Sequence, residues 1–138
     1  MKKFLKILLL LLLPNFGIAK TSYFSEGLMY YKNKQFDKAK FKFEQDIVYN
    51  PKNERAYLYL SKIFKSQDNN DLEEINLKTV ILLNPKNEEA IYQLAKLKLN
   101  LSDYNKSKEL NKRLKSICKK FCSKSEKLKS EIENLSKK

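Results

Sequence analysis

The chain contains no histidine, and only Arg55 and Arg113 among its 29 basic residues are arginine. Without an imidazole, most nucleophile–base constellations cannot be assembled, so no catalytic residue is assigned and no enzyme is expected. The scarcity of arginine argues against a nucleic-acid or phosphate reader, which favours a planar bidentate fork that lysine lacks. Glycine occurs twice and proline three times. That is too rare for a β-sandwich, where turn signals recur roughly every 8–12 residues. Cysteine occurs only as Cys118 and Cys122. They cannot complete a four-ligand zinc site without further thiols or imidazoles, and no metal or cofactor is expected.

What remains is 33% charged and 42% hydrophobic, a balance that suits a folded helical chain better than a disordered one. At 138 residues there is room for one domain of ordinary size. The net charge of +13 is unevenly placed. Residues 20–105 carry 14 basic and 12 acidic side chains, whereas residues 106–138 carry 12 and 4. The basicity belongs to the C-terminal quarter. It is read as a solvated surface, with an anionic partner as the rival reading.

The first residues, MKKFLK, are basic, Ile7 to Leu13 is an apolar run, and Pro14 precedes the small residues Gly17 and Ala19. This order describes a secretory signal peptide over residues 1–19, cut after Ala19. The run is shorter than the ~20 residues that span a bilayer comfortably. Export to the periplasm is therefore expected, with an inner-membrane form held by an uncleaved anchor as the alternative. In an oxidising compartment two nearby thiols normally pair. Their three-residue spacing also lies outside the two-residue pattern of thioredoxin-like chemistry. A structural Cys118–Cys122 disulfide is the expected reading, with free thiols or a regulated redox pair as the rival.

The motif Asn-Pro-Lys-Asn stands at residues 50–53 and again at 84–87, an offset of 34, and the residues that follow align without gaps. A fixed period of this size means stacked supersecondary units. Proline cannot continue a helix, so each motif closes one helix and leads into the next, whose first turn is acidic at Glu54 and at Glu88 and Glu89. The pattern resembles the tetratricopeptide repeat (TPR) family of 34-residue helix–turn–helix units. The first copy, residues 20–53, matches through Tyr23, Gly27, Tyr30, Phe36, Ala39, Phe43 and Pro51, and departs at Glu26 and Asp46. The second, 54–87, matches through Tyr57, Leu60, Ser61, Phe64, Leu77, Val80 and Pro85. It departs at Asn70 and Glu73, which predicts a displaced or loosened turn near Ser66 to Asp71, with Asp68 and Asp71 as caps. The third, 88–121, keeps Ile91, Leu94, Ala95, Tyr104, Ser107 and Leu114, but has Lys98 and Asn111 at apolar positions and Lys119 in place of proline.

The expected architecture is an all-α solenoid of three such units, closed by a capping helix within residues 122–138. Leu128, Ile132 and Leu135 form that helix's apolar face. Cys118 and Cys122 flank the last joint, where the other joints carry Asn-Pro.

The resemblance further implies a concave groove, lined by the first helix of each unit, that holds a segment of a partner protein. By position the lining is Phe24, Leu28, Tyr31 and Lys32, then Leu58, Lys62 and Lys65, then Tyr92, Lys96 and Leu99. Aromatic anchors between lysines suit a peptide that is partly apolar and partly acidic. One subgroup of the family grips chain-end carboxylates with Lys and Asn. Here Phe24 and Leu28 occupy the two corresponding first-copy positions, so that specificity is not expected. The expected role is an exported adaptor in the cell envelope. The alternative is a membrane-surface protein, held by its N-terminus or by the basic segment from Lys106 to Lys129.

Overall fold

The computed structural model describes residues 22–137. The signal peptide expected over residues 1–19 lies outside them. Among the described residues there are seven helices and no strand: α1 Tyr23–Lys32, α2 Phe36–Tyr49, α3 Glu54–Ser66, α4 Asn70–Leu83, α5 Glu88–Asn100, α6 Tyr104–Ile117 and α7 Cys122–Leu135. Helices α1/α2, α3/α4 and α5/α6 form successive hairpins, and each second helix also packs on the first helix of the next hairpin. Helix α7 packs on α6 and α5 and closes the row.

Local chemistry fixes where these helices start and turn. Side-chain oxygens of Ser22, Asn69, Asn87 and Asp103 accept from the backbone N–H three residues on, at 3.0–3.2 Å. Each such cap stabilises a helix start by about 1 kcal/mol. The cap of α4 is thus Asn69, not the expected Asp68 or Asp71; Asp71 already lies inside the helix. The expectation of a displaced turn is also corrected. Lys34, Asp68 and Ser102 adopt φ of 58°, 53° and 60°, one left-handed residue at the same place in every hairpin. The second turn keeps register because this backbone conformation, rather than the missing consensus side chains, reverses the chain.

The core falls into two clusters. An aromatic one gathers Phe24, Ala39, Phe43, Ala56, Leu60, Ile63 and Phe64. An aliphatic one runs from Leu58 and Leu77 through Ile91, Leu94 and Leu114 to Leu128 and Ile132. Fully burying each large side chain contributes about 1.5–3 kcal/mol. Helix α3 belongs to both clusters. Close hairpin crossing needs a small residue: a Cβ on Gly27 would lie 2.6 Å from Phe43 Cε1. Ser61 and Ala95 hold the matching places in α3 and α5, both buried.

Four of the polar departures from the family pattern are paired. Asp46 is 1% exposed and accepts from Asn50 and Asn53 at 3.2 and 2.5 Å, tying the end of α2 to the following turn. Glu26 meets Lys42 at 2.6 Å, and Lys98 meets Glu74 at 2.7 Å. Asn111 donates to the Ser125 carbonyl at 3.0 Å and accepts from the Ser125 hydroxyl at 2.9 Å, clamping α7 to α6.

Candidate functional site

Helices α1, α3, α5 and α7 stand in one row, and their side chains cross-link along it. Lys62 reaches Glu89 at 2.7 Å, Lys65 donates to Gln93 at 2.9 Å, and Lys96 reaches Glu131 at 2.6 Å. Three of the four lysines expected to face a partner, Lys62, Lys65 and Lys96, are therefore rungs between neighbouring helices. Their partners Glu89 and Glu131 keep 34% and 46% of their side-chain surface exposed, so these pairs lie in reach of solvent. Exposed pairs of this kind contribute about 0–1 kcal/mol and exchange partners readily.

The aromatic members divide. Phe24 lies in the core, 5.6 Å from the Phe43 ring and 6.1 Å from that of Tyr59. The Arg55 guanidinium sits 4.6 Å above its ring. Leu58 and Leu99 are 8% and 4% exposed within the aliphatic cluster. The expectation that Phe24, Leu58 and Leu99 line an open groove is thus corrected. Tyr59 and Arg55 of the next hairpin cover Phe24, and the aliphatic cluster takes in Leu58 and Leu99. Leu28, Tyr31 and Tyr92 remain half-buried at the row's surface, and Lys32 is exposed. Tyr31 packs edge-on to Tyr59 at 5.0 Å. Tyr92 lies 5.6 Å from Phe121, with Lys124 over both rings at 5.4 and 4.2 Å.

Position-by-position reading missed Arg55, Tyr59, Glu89, Gln93 and Glu131. All five stand one to three places from groove residues it named or on the closing helix, and become visible only when successive helices are set side by side. A separate cleft of about 310 Å³ opens between α6 and α7, lined by Lys108, Lys112, Lys115, Lys129 and Ile132 among others. None of the residues expected in the groove lines it, and Lys115 is already paired with Glu126 at 2.7 Å.

The last joint is built differently from the other two. Cys118 caps α6 and Cys122 opens α7. They are joined by a disulfide with an S–S distance of 2.03 Å and a Cα–Cα distance of 5.2 Å. Beside it the Glu88 carboxylate accepts from the backbone N–H groups of Lys119, Lys120 and Phe121 at 2.8–2.9 Å. Loss of water pushes the Glu88 pKa up, but these N–H groups and the Lys119 ammonium outweigh it and hold the carboxyl below its usual range. Glu54, one period earlier, accepts from Asn84 at 3.0 Å. An acidic first residue thus grips the following joint in both units. Helix-dipole reasoning explains its charge but not this contact.

Among the described residues, no group of three or more carboxylate, thiol or imidazole side chains is gathered where it could hold a metal ion. Among them, too, no helix is long and apolar enough to cross a membrane.

No protein-family model matches the chain, and no curated protein matches it in sequence. Solved structures do match its fold. The first TPR domain of Spaghetti (RPAP3), bound to the HSP90 peptide SRMEEVD, superposes with a TM-score of 0.73 at 14% identity, covering 83% of this chain and 90% of that one. The Yersinia enterocolitica type III secretion chaperone SycD, in complex with a peptide of the translocator YopD, gives 0.73 at 16%, covering 84% and 92%. The TPR domain of Arabidopsis OM64 gives 0.68 at 21%, covering 78% and 92%. The chain thus has the fold of tetratricopeptide-repeat domains, an all-α solenoid of helix–turn–helix units.

Proposed function

We propose that this protein is an exported, non-enzymatic adaptor that holds a segment of a partner protein across the face formed by α1, α3 and α5. The observation that carries the reading is the row of half-buried lysine rungs whose carboxylate partners solvent reaches. A carboxylate on a partner segment can replace Glu89 on Lys62 or Glu131 on Lys96 without unfolding anything, because both pairs are already wet. Leu28, Tyr31 and Tyr92 supply half-buried apolar surface beside the rungs. Such a segment is therefore mixed, apolar with acidic residues. Peptide complexes of RPAP3 and SycD support the general mode, since both carry a peptide on this fold. The export part of the reading rests on the basic and apolar pattern of residues 1–19.

Photo-cross-linkers placed at Leu28 and Tyr92 in cells that make the protein test this. Both should trap the same partner. Trapping should fall at least tenfold when Lys62→Glu and Lys96→Glu are combined, while the circular dichroism stays unchanged. A cross-linker at Phe41, exposed on the outer helix α2, serves as control. Equal trapping from Phe41, or indifference to the charge reversals, would refute the groove.

A further inference from the structure

The three joints between units, residues 50–53, 84–87 and 118–121, lie along one edge of the solenoid, and the turns inside the hairpins lie along the other. Two properties of the joint edge stand out. First, it exposes large apolar side chains. Val48 and Leu82, matched across one period, are 76% and 80% exposed, and Tyr49 is 69% exposed. Second, its charges are of one sign. The nearby carboxylates are turned to internal use: Asp46 is buried against Asn50 and Asn53, Glu54 accepts from Asn84, and Glu88 accepts three backbone N–H groups. Lys52, Lys86, Lys119 and Lys120 are exposed, and among the described residues no carboxylate lies within ion-pair distance of their ammonium groups. Arg113 adds its guanidinium, donated to the Pro85 carbonyl at 2.7 Å.

The opposite edge is mixed: Lys32, Lys34 and Lys65 stand there with Asp37, Asp68, Asp71 and Asp103, all exposed. The molecule is thus polarised from a basic edge to one of balanced charge. The chain also enters α1 at the basic edge, since Tyr23 stacks on Tyr49 with ring centroids 5.4 Å apart.

We infer that the joint edge docks on the surface of an anionic lipid bilayer. Val48, Tyr49 and Leu82 enter the headgroup layer, and Lys52, Lys86 and Lys120 meet lipid phosphates. Exposed aliphatic and tyrosine side chains ringed by lysine are the chemistry of an interfacial contact. The edge-to-edge polarity sets one orientation on a negative surface. This surface is distinct from the partner-holding face, and it shares only Arg113, Lys119 and Lys120 with the Lys106 to Lys129 segment. In that segment Lys106 and Lys115 are already paired with Glu109 and Glu126.

The test uses the full chain carrying one introduced thiol, Leu82→Cys or Asp68→Cys. It is labelled with an environment-sensitive fluorophore while Cys118 and Cys122 stay bonded to each other. With vesicles of brominated phosphatidylglycerol, the label at position 82 should shift to the blue and be quenched, and the label at 68 should do neither. Vesicles of brominated phosphatidylcholine should give little quenching at either position. Replacing Lys52, Lys86 or Lys120 singly by Gln should weaken the quenching isotherm at 82 about fivefold per lysine. Equal quenching at 82 and 68, or no dependence on lipid charge, would overturn the inference. So would a blue shift at 82 that follows protein concentration without vesicles, which would assign the edge to a second copy of the chain.

Discussion

Two glutamates show how one residue type takes opposite parts in the same fold. Glu73 is 3% exposed, and burial pushes its pKa up against the pull of Lys65. Its folded pKa thus exceeds the ordinary 4.5. Its ionisation therefore opposes folding, and this penalty appears as pH rises through the interval above 4.5 and persists at neutral pH. Glu88 is the reverse case. Its folded pKa is depressed, so its contribution is present above 4.5 and is lost as pH falls through the folded value. Glu73→Gln should raise the urea midpoint at pH 7 and have no effect near pH 4. Glu88→Gln should lower the midpoint at pH 7, and the deficit should shrink in acid. A lower midpoint for Glu73→Gln at pH 7 would mean that its attraction to Lys65 outweighs desolvation.

At the scale of the helix, spacing alone exposed most of the architecture. The 34-residue offset located every joint, and the small residue at Gly27, Ser61 and Ala95 marked each hairpin crossing. The crossing at Gly27 is the tightest test of that reading. An added methyl would meet Phe43, whose ring is fully buried and stacked 5.3 Å from Tyr59. Gly27→Ala should therefore cost about 1–3 kcal/mol in chemical denaturation, despite its better helix propensity. Neutrality would show that the Phe43 ring can move aside.

The sequence left two things illegible. Partners for the polar departures lie at offsets unrelated to the period: Asp46 with Asn50 and Asn53, Lys98 with Glu74, Asn111 with Ser125. Whether a border residue such as Phe24 or Leu58 faces solvent depends on the side chain the next hairpin brings against it. For Phe24 that is Tyr59 with Arg55, which no position rule for a single unit contains.

Across the whole molecule, stability is shared between an aromatic cluster at the first hairpin and an aliphatic one running to the closing helix. In a row where units touch only their neighbours, damage at one end need not reach the other. Removing the disulfide with Cys118→Ser and Cys122→Ser should cost about 2 kcal/mol by loop-closure entropy. Amide exchange should speed up in α7 and at the end of α6 and stay unchanged in α1 and α2. Equal acceleration along the chain would mean that the two clusters unfold as one.

The first helix has ten residues and buries only Phe24 and Gly27, whereas the far end is closed by a covalent bond and the Asn111–Ser125 clamp. In mechanical terms the solenoid has a soft end and a locked end. A pull on the chain ahead of Ser22 loads the soft one first, peeling α1 away and baring Phe43 and Tyr59 while the locked end stays closed.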